Sequence, residues 1–275
     1  MGGISILSLA LFSCQTPSPL QRAILEPRPN EPLLQSAHFS IFRLPNGYDG
    51  KAILKETEET ASTLLKWLNE TNDWEKVAVL VYNPTEPDGK KLLTKPTDVR
   101  SGVKGLFFFP PQNTLLLVGA PENPRFWTVL RHEATHATII HASPHSLPFW
   151  LNEGMATLFE GGIDEQGKPR IVSERLRMAK KLASRRKGLC LKSILTKKNP
   201  DYRDGKSYAK AWSVLYFLYQ TDPQKMAFLI TSKEPLIPFP FAFFGLNSIE
   251  ELEESVTHIL EELPDPNLTL NNHLE

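Results

Sequence analysis

The sequence predicts an α+β fold in which a small mixed-sheet lobe is followed by a helical lobe, and three observations lead there. Segments of strand character are confined to the first 124 residues. From Arg125 to Leu263 the apolar residues fall largely at helical spacing. With 41% apolar residues in 275, the chain can bury a core of its own, and no internal repeat divides it.

In chain order, residues 1–14, MGGISILSLALFSC, contain an apolar run from Ile4 to Phe12 that is too short to span a bilayer and reads as an export signal. Its end, Leu11, Phe12, Ser13, Cys14, resembles the lipobox of bacterial lipoproteins, although Phe12 is bulky for that motif and no Lys or Arg precedes the run. The resemblance implies that Cys14 is lipidated and that the mature protein is held on a membrane of the cell envelope by that lipid rather than by a transmembrane helix. The alternative is an ordinary buried or frayed N-terminal segment. Residues 15–36 carry five prolines and no periodicity, as expected of a linker.

The folded domain is expected over residues 37–263, with the α+β lobe at 37–124 and the helical lobe at 125–263. Phe39 to Leu44 and Val77 to Tyr82 read as strands, with a helix between them from Ala52 to Asn69 whose apolar face includes Ile53, Leu64, Leu65 and Leu68. Pro84 to Pro96 reads as an exposed loop. Gly105 to Phe109 and Thr114 to Val118 form a hairpin across Pro110 to Asn113. Helices are then expected at 125–142, 148–160, 172–186, 207–220, 223–231 and 248–263, and a disordered tail at 264–275.

Charge excludes one class of partner. Lysines plus arginines number 31 and aspartates plus glutamates 31, so no overall field favours nucleic acid. The two cysteines, Cys14 and Cys190, do not make a disulfide framework. The basic run from Lys180 to Lys187 is most simply the solvated face of a helix.

The chemistry is carried by His132, Glu133, Ala134, Thr135, His136, an HExxH sequence on the first of these helices. Residues four apart lie one turn apart on one face, so both imidazoles can reach a single metal ion. Glu133 lies about 100° round the helix from His132, where it suits a general base better than a ligand. The helix is otherwise apolar, through Phe126, Trp127, Val129, Leu130, Ala137, Ile139 and Ile140, and burying ionisable groups on it without a purpose would be costly. A catalytic Zn2+ takes three protein ligands and keeps one open position. The following helix offers Glu153 as the third, with His141 or His145 as alternatives.

HEATH, with sixteen residues between His136 and Glu153, and Glu153 within Trp150, Leu151, Asn152, Glu153, Gly154, Met155, Ala156, resembles the gluzincin metallopeptidases, and the phrase LPFWLNEGMATLFEG is most similar to the bacterial peptidase MA-like family. The resemblance implies a thermolysin-like catalytic core, metal ligands His132, His136 and Glu153, the catalytic base Glu133, and a peptide or protein substrate. Ser207 to Trp212 is similar to the YxKG-like segment of the aminopeptidase N-type enzymes, with Ala211 where glycine is usual, and this implies that Tyr208 stabilises an oxyanion. Tyr202, Tyr216 and Tyr219 are competing hydroxyls. No GxMEN-like segment precedes the motif, which points to an endopeptidase.

In thermolysin-like folds an edge strand binds extended substrate, and Thr114 to Val118 is either that edge or a core strand. The stretch Pro235 to Phe244 either lines a substrate pocket or plugs the helical core. The alternative to an enzyme is an inactive envelope binding or scaffold module that keeps the fold.

Overall fold

The computed structural model describes residues 23, 29–70, 74–93, 100–196, 205–232 and 239–264. The expected signal segment with Cys14, most of the expected linker, Tyr202 and the tail beyond residue 264 lie outside them.

The first half forms a five-stranded mixed sheet in the order β1-β2-β3-β5-β4. Its strands are β1 (Leu34–Gln35), β2 (Phe39–Arg43), β3 (Val77–Tyr82), β4 (Lys104–Phe108) and β5 (Thr114–Val118). β2, β3 and β5 are parallel, while β1 and β4 run antiparallel at the two edges. VAVLVY and TLLLV are unbroken apolar runs because both of their faces are covered, and every residue of β3 and β5 is buried.

Two expectations change here, and one pair of alternatives is settled. Leu34–Gln35 belongs to the sheet, paired with Ser40 and Ile41, so the folded body begins inside the expected linker 15–36. The expected loop Pro84 to Pro96 contains a short helix, α2 (Pro87–Leu92), started by a proline and closed by the burial of Leu92. Thr114–Val118 is an interior strand and β4 is the edge.

The helix α1 (Gly50–Leu68) starts on Asp49, whose side chain accepts from the amides of Lys51 and Ala52, and stops at Asn69 in the left-handed region. It lies on one face of the sheet beside α3 (Pro124–Ala142), capped by Asn123 and opened by Pro124. Phe39, Ile41, Val79 and Leu117 from the sheet pack with Ile53 and Ala61 of α1 and with Phe126, Leu130, Ala134 and Ala137 of α3.

The second half is helical: α4 (Phe149–Phe159), α5 (Ser173–Ala183), α6 (Lys192–Leu195), α7 (Gly205–Thr221), α8 (Pro223–Thr231) and α9 (Ile249–Glu262). Its core joins Ile139 at the far end of α3 to Trp150, Met155, Trp212, Leu215 and Val256. α3 therefore stands between two cores, one against the sheet and one among helices. Helix α5 ends three residues short of its expected end, so Arg185, Arg186 and Lys187 sit in the turn that follows it rather than on its face. Phe239 lies 5.0 Å from the Trp150 ring within the helical core, as a plug would. Among the described residues no helix is long and apolar enough to cross a membrane.

Candidate metal centre

Helices α3 and α4 meet across the turn at residues 143–148, and that turn aims three side chains at one point. His132 and His136 stack edge to face one helical turn apart, with their Nε2 atoms 3.2 Å from each other. Glu153 of α4 brings its Oε2 to 3.3 Å from the Nε2 of His132 and 3.4 Å from that of His136. Three ligands bound at about 2.0–2.1 Å with tetrahedral angles would stand about 3.4 Å apart, so the triangle has the size a tetrahedral metal requires. The same Oε2 is buried and has no hydrogen-bond partner in the protein, which a buried carboxylate oxygen tolerates poorly unless a cation satisfies it. His132, His136 and Glu153 together could hold a metal ion.

The other nitrogen of each ring is held as well. The Nδ1 of His132 is 3.1 Å from Oε2 of Glu160, and that carboxylate is gripped by Arg175, with Nε at 2.6 Å from Oε1 and Nη2 at 3.1 Å from Oε2. An ionised carboxylate can only accept, so Nδ1 of His132 carries a proton, and Nε2 is the nitrogen left to serve a metal at the shared point. The Nδ1 of His136 is 3.0 Å from Oδ1 of Asn152 and donates to it in the same way.

The electrostatics favour a cation. Burial opposes a charge on His132, yet the carboxylates of Glu153 and Glu160 beside its two ring nitrogens outweigh burial and push its pKa up to about 10. Burial also works against ionising Glu153, but the two histidines hold its carboxyl well below the usual range. Glu160 is lowered too, against its burial, by His132 and Arg175. Three carboxylates, Glu133, Glu153 and Glu160, thus gather around the histidine pair, with the Arg175 guanidinium engaged by Glu160.

Glu133 is 8% exposed, and burial raises its carboxyl above the ordinary range although both histidines pull it down. Its neighbour is the edge strand β4, where the backbone of Phe107 favours its ionised form. Gly105 makes the approach possible, since a Cβ there would meet Cγ of Glu133 at 2.6 Å and Cγ1 of Val129 at 2.4 Å.

Tyr208, at the start of α7, comes to the same place. Its ring centroid is 6.3 Å from that of His132, and the Arg175 guanidinium lies over it at 5.5 Å. Burial, with Glu153 and Glu133 nearby, raises its pKa. Helix α7 gets this close to α4 because Gly154 has no side chain; a Cβ would strike Cδ2 of Leu215 at 2.5 Å.

The competing residues go elsewhere. Tyr216 stacks on Trp212 and Tyr219 neighbours Trp67. His141 stacks on Trp74 at 5.0 Å and bonds Asn113, so it is no ligand, and neither it nor His145 joins the group around the shared point. Sequence reasoning weighed Asn152 as either a hydrogen-bonding group near the site or a backbone cap and left it outside the predicted set, and it passed over Glu160 and Arg175. Glu160 had a signal, because it stands seven residues after Glu153 and hence on the same helix face; Arg175 had none.

Every residue of this centre lies within residues 127–239, and that segment matches a family described as "Protein of unknown function (DUF1570)". No curated protein matches the chain. The match covers less than half of the chain, and the matched stretch is the one that carries the candidate metal centre.

Proposed function

We propose that the chain is a gluzincin-type zinc metallopeptidase that hydrolyses peptide bonds, as an endopeptidase, at the bacterial cell envelope. The observation that carries the reading is the triangle of Nε2, Nε2 and Oε2 with sides of 3.2–3.4 Å, set beside a buried carboxylate that is not part of it. A purely structural metal site has no use for that fourth group. The resemblance of HEATH and WLNEGMA to the gluzincins supports the same reading.

Zinc held by His132, His136 and Glu153 would supply Lewis acidity, bringing the pKa of a water toward neutrality and polarising a carbonyl. Glu133 takes the proton of the attacking water, a task helped by its raised pKa, and returns it to the leaving amine. Tyr208 keeps its hydroxyl proton, because its pKa is raised, and offers it to the developing oxyanion. The edge strand β4, whose Gly105 lies against Glu133, is where an extended substrate would add by main-chain pairing. In this reading the lipidated Cys14 holds the enzyme on its membrane.

The test is zinc content and turnover of a mixed peptide library by the parent, Glu133→Gln and Glu153→Ala. The expected result is zinc kept and turnover lost in the first variant, and zinc lost in the second. A parent that binds zinc but turns over no peptide supports the scaffold alternative, and a Glu153→Ala variant that holds zinc as tightly as the parent refutes the ligand set.

A further inference from the structure

We propose that Arg175, from outside the HExxH helix and the Glu153 helix, is a positioning residue for the metal centre: it locks the carboxylate of Glu160 and through it aims Nε2 of His132 at the point shared with His136 and Glu153. The inference rests on the metal-centre reading but not on the identity of the reaction.

The argument begins with Glu160, whose side chain is 3% exposed and which ends α4 as its last cap. Its backbone carbonyl accepts from Nε of Arg131 at 2.8 Å, and Arg131 is itself anchored by Glu56 of α1 at 2.8 Å. With the main chain fixed, the remaining freedom of Glu160 is rotation of its carboxylate. Arg175 removes that freedom with one nitrogen on each oxygen, at 2.6 Å and 3.1 Å. A planar two-point grip of this kind sets direction as well as charge, which a lysine ammonium cannot do.

The chain delivers Arg175 by a tight excursion. Ile163 bridges to Pro169, and the Asp164 side chain accepts from the amides of Gln166 and Lys168. This turns residues 161–172 back so that the first turn of α5 faces the last turn of α4. Without Arg175 the Glu160 carboxylate would be buried uncompensated, and its grip on Nδ1 of His132 would no longer be directed. A group that orients a ligating histidine typically accounts for about 10–100-fold in metal affinity.

The experiment is competition for Zn2+ against a chromophoric chelator, on the full chain, with Arg175→Gln, Arg175→Lys, Glu160→Gln and the Arg175→Gln/Glu160→Gln double variant. Arg175→Gln and Glu160→Gln are each expected to weaken Zn2+ by about 10–100-fold, with Arg175→Lys between them and the parent. Because Arg175 acts through Glu160, the double variant should be no weaker than Glu160→Gln alone. The visible absorption of the Co2+-substituted protein should shift in Arg175→Gln and partly return in Arg175→Lys, which loss of packing alone would not produce.

An affinity within twofold of the parent in Arg175→Gln overturns the proposal, as do two losses that multiply in the double variant. If Arg175→Gln does not fold, parent-like Zn2+ affinity in both Glu160→Gln and Arg175→Lys overturns it equally. A parent that binds Zn2+ with this pattern but cleaves no peptide removes the peptidase reading and leaves the inference standing, whereas a parent that binds no Zn2+ removes both.

Discussion

Replacing Gly105 by alanine should separate catalysis from metal binding. The new Cβ would lie 2.6 Å from Cγ and 2.8 Å from Oε1 of Glu133, and 2.4 Å from Cγ1 of Val129. Unstrained carbon contacts lie at about 3.5–4.0 Å, so Glu133 must retreat by about 1 Å. A misplacement of that size can cost on the order of 100-fold in turnover. The overpacking itself costs about 1–3 kcal/mol, and each kcal/mol lowers the melting midpoint of a domain of this size by roughly 2–4 °C. The nearest neighbours of the new methyl are Val129 and Glu133, and no metal ligand is among them. Peptide turnover, zinc content and a thermal melt on one preparation measure all three effects. Adding Val129→Ala should recover much of the stability and little of the turnover. Parent-like turnover with zinc bound, or turnover lost only in step with zinc, would refute the placement of Glu133 against the strand.

Three further outcomes follow from the same geometry. Tyr208→Phe should keep zinc and lose about 100- to 1,000-fold in kcat if its hydroxyl meets the oxyanion; a change below threefold would assign the ring to packing alone. For pH, the base must be ionised and burial raises its pKa, so kcat/KM should climb with pH along an acid limb lying above the ordinary carboxylate range. Glu153 has the opposite sign: its lowered carboxyl contributes stability that is present above the ordinary glutamate pKa and is lost as pH falls through the lowered value. Melts recorded against pH in excess chelator should show that loss in the parent and not in Glu153→Gln.

Much of this was legible before any coordinates because it rests on local rules. The four-residue spacing of His132 and His136 fixes one helix face, and the apolar runs of β3 and β5 announce strands covered on both sides. What escaped is long-range. Whether Thr114–Val118 or Lys104–Phe108 forms the edge depends on β5 inserting between β3 and β4, a matter of sheet order that alternation cannot report. Helix α2 was hidden by turn-forming residues whose proline starts a helix instead. Arg175 reaches Glu160 from fifteen residues away through the loop at 161–172, and no periodicity foretells such a meeting.

The position of α3 between two cores bears on how the molecule can be divided. A fragment limited to the family-matched residues 127–239 would keep His132, His136 and Glu153 but surrender the sheet. Leu130, Ala134 and Ala137, fully shielded in the whole chain, would then face water. A shielded leucine alone contributes about 1.5–3 kcal/mol. The stretch that looks self-contained is thus half of a wall shared with its neighbour, and the candidate metal centre and the cohesion of the body suffer together when the wall is cut.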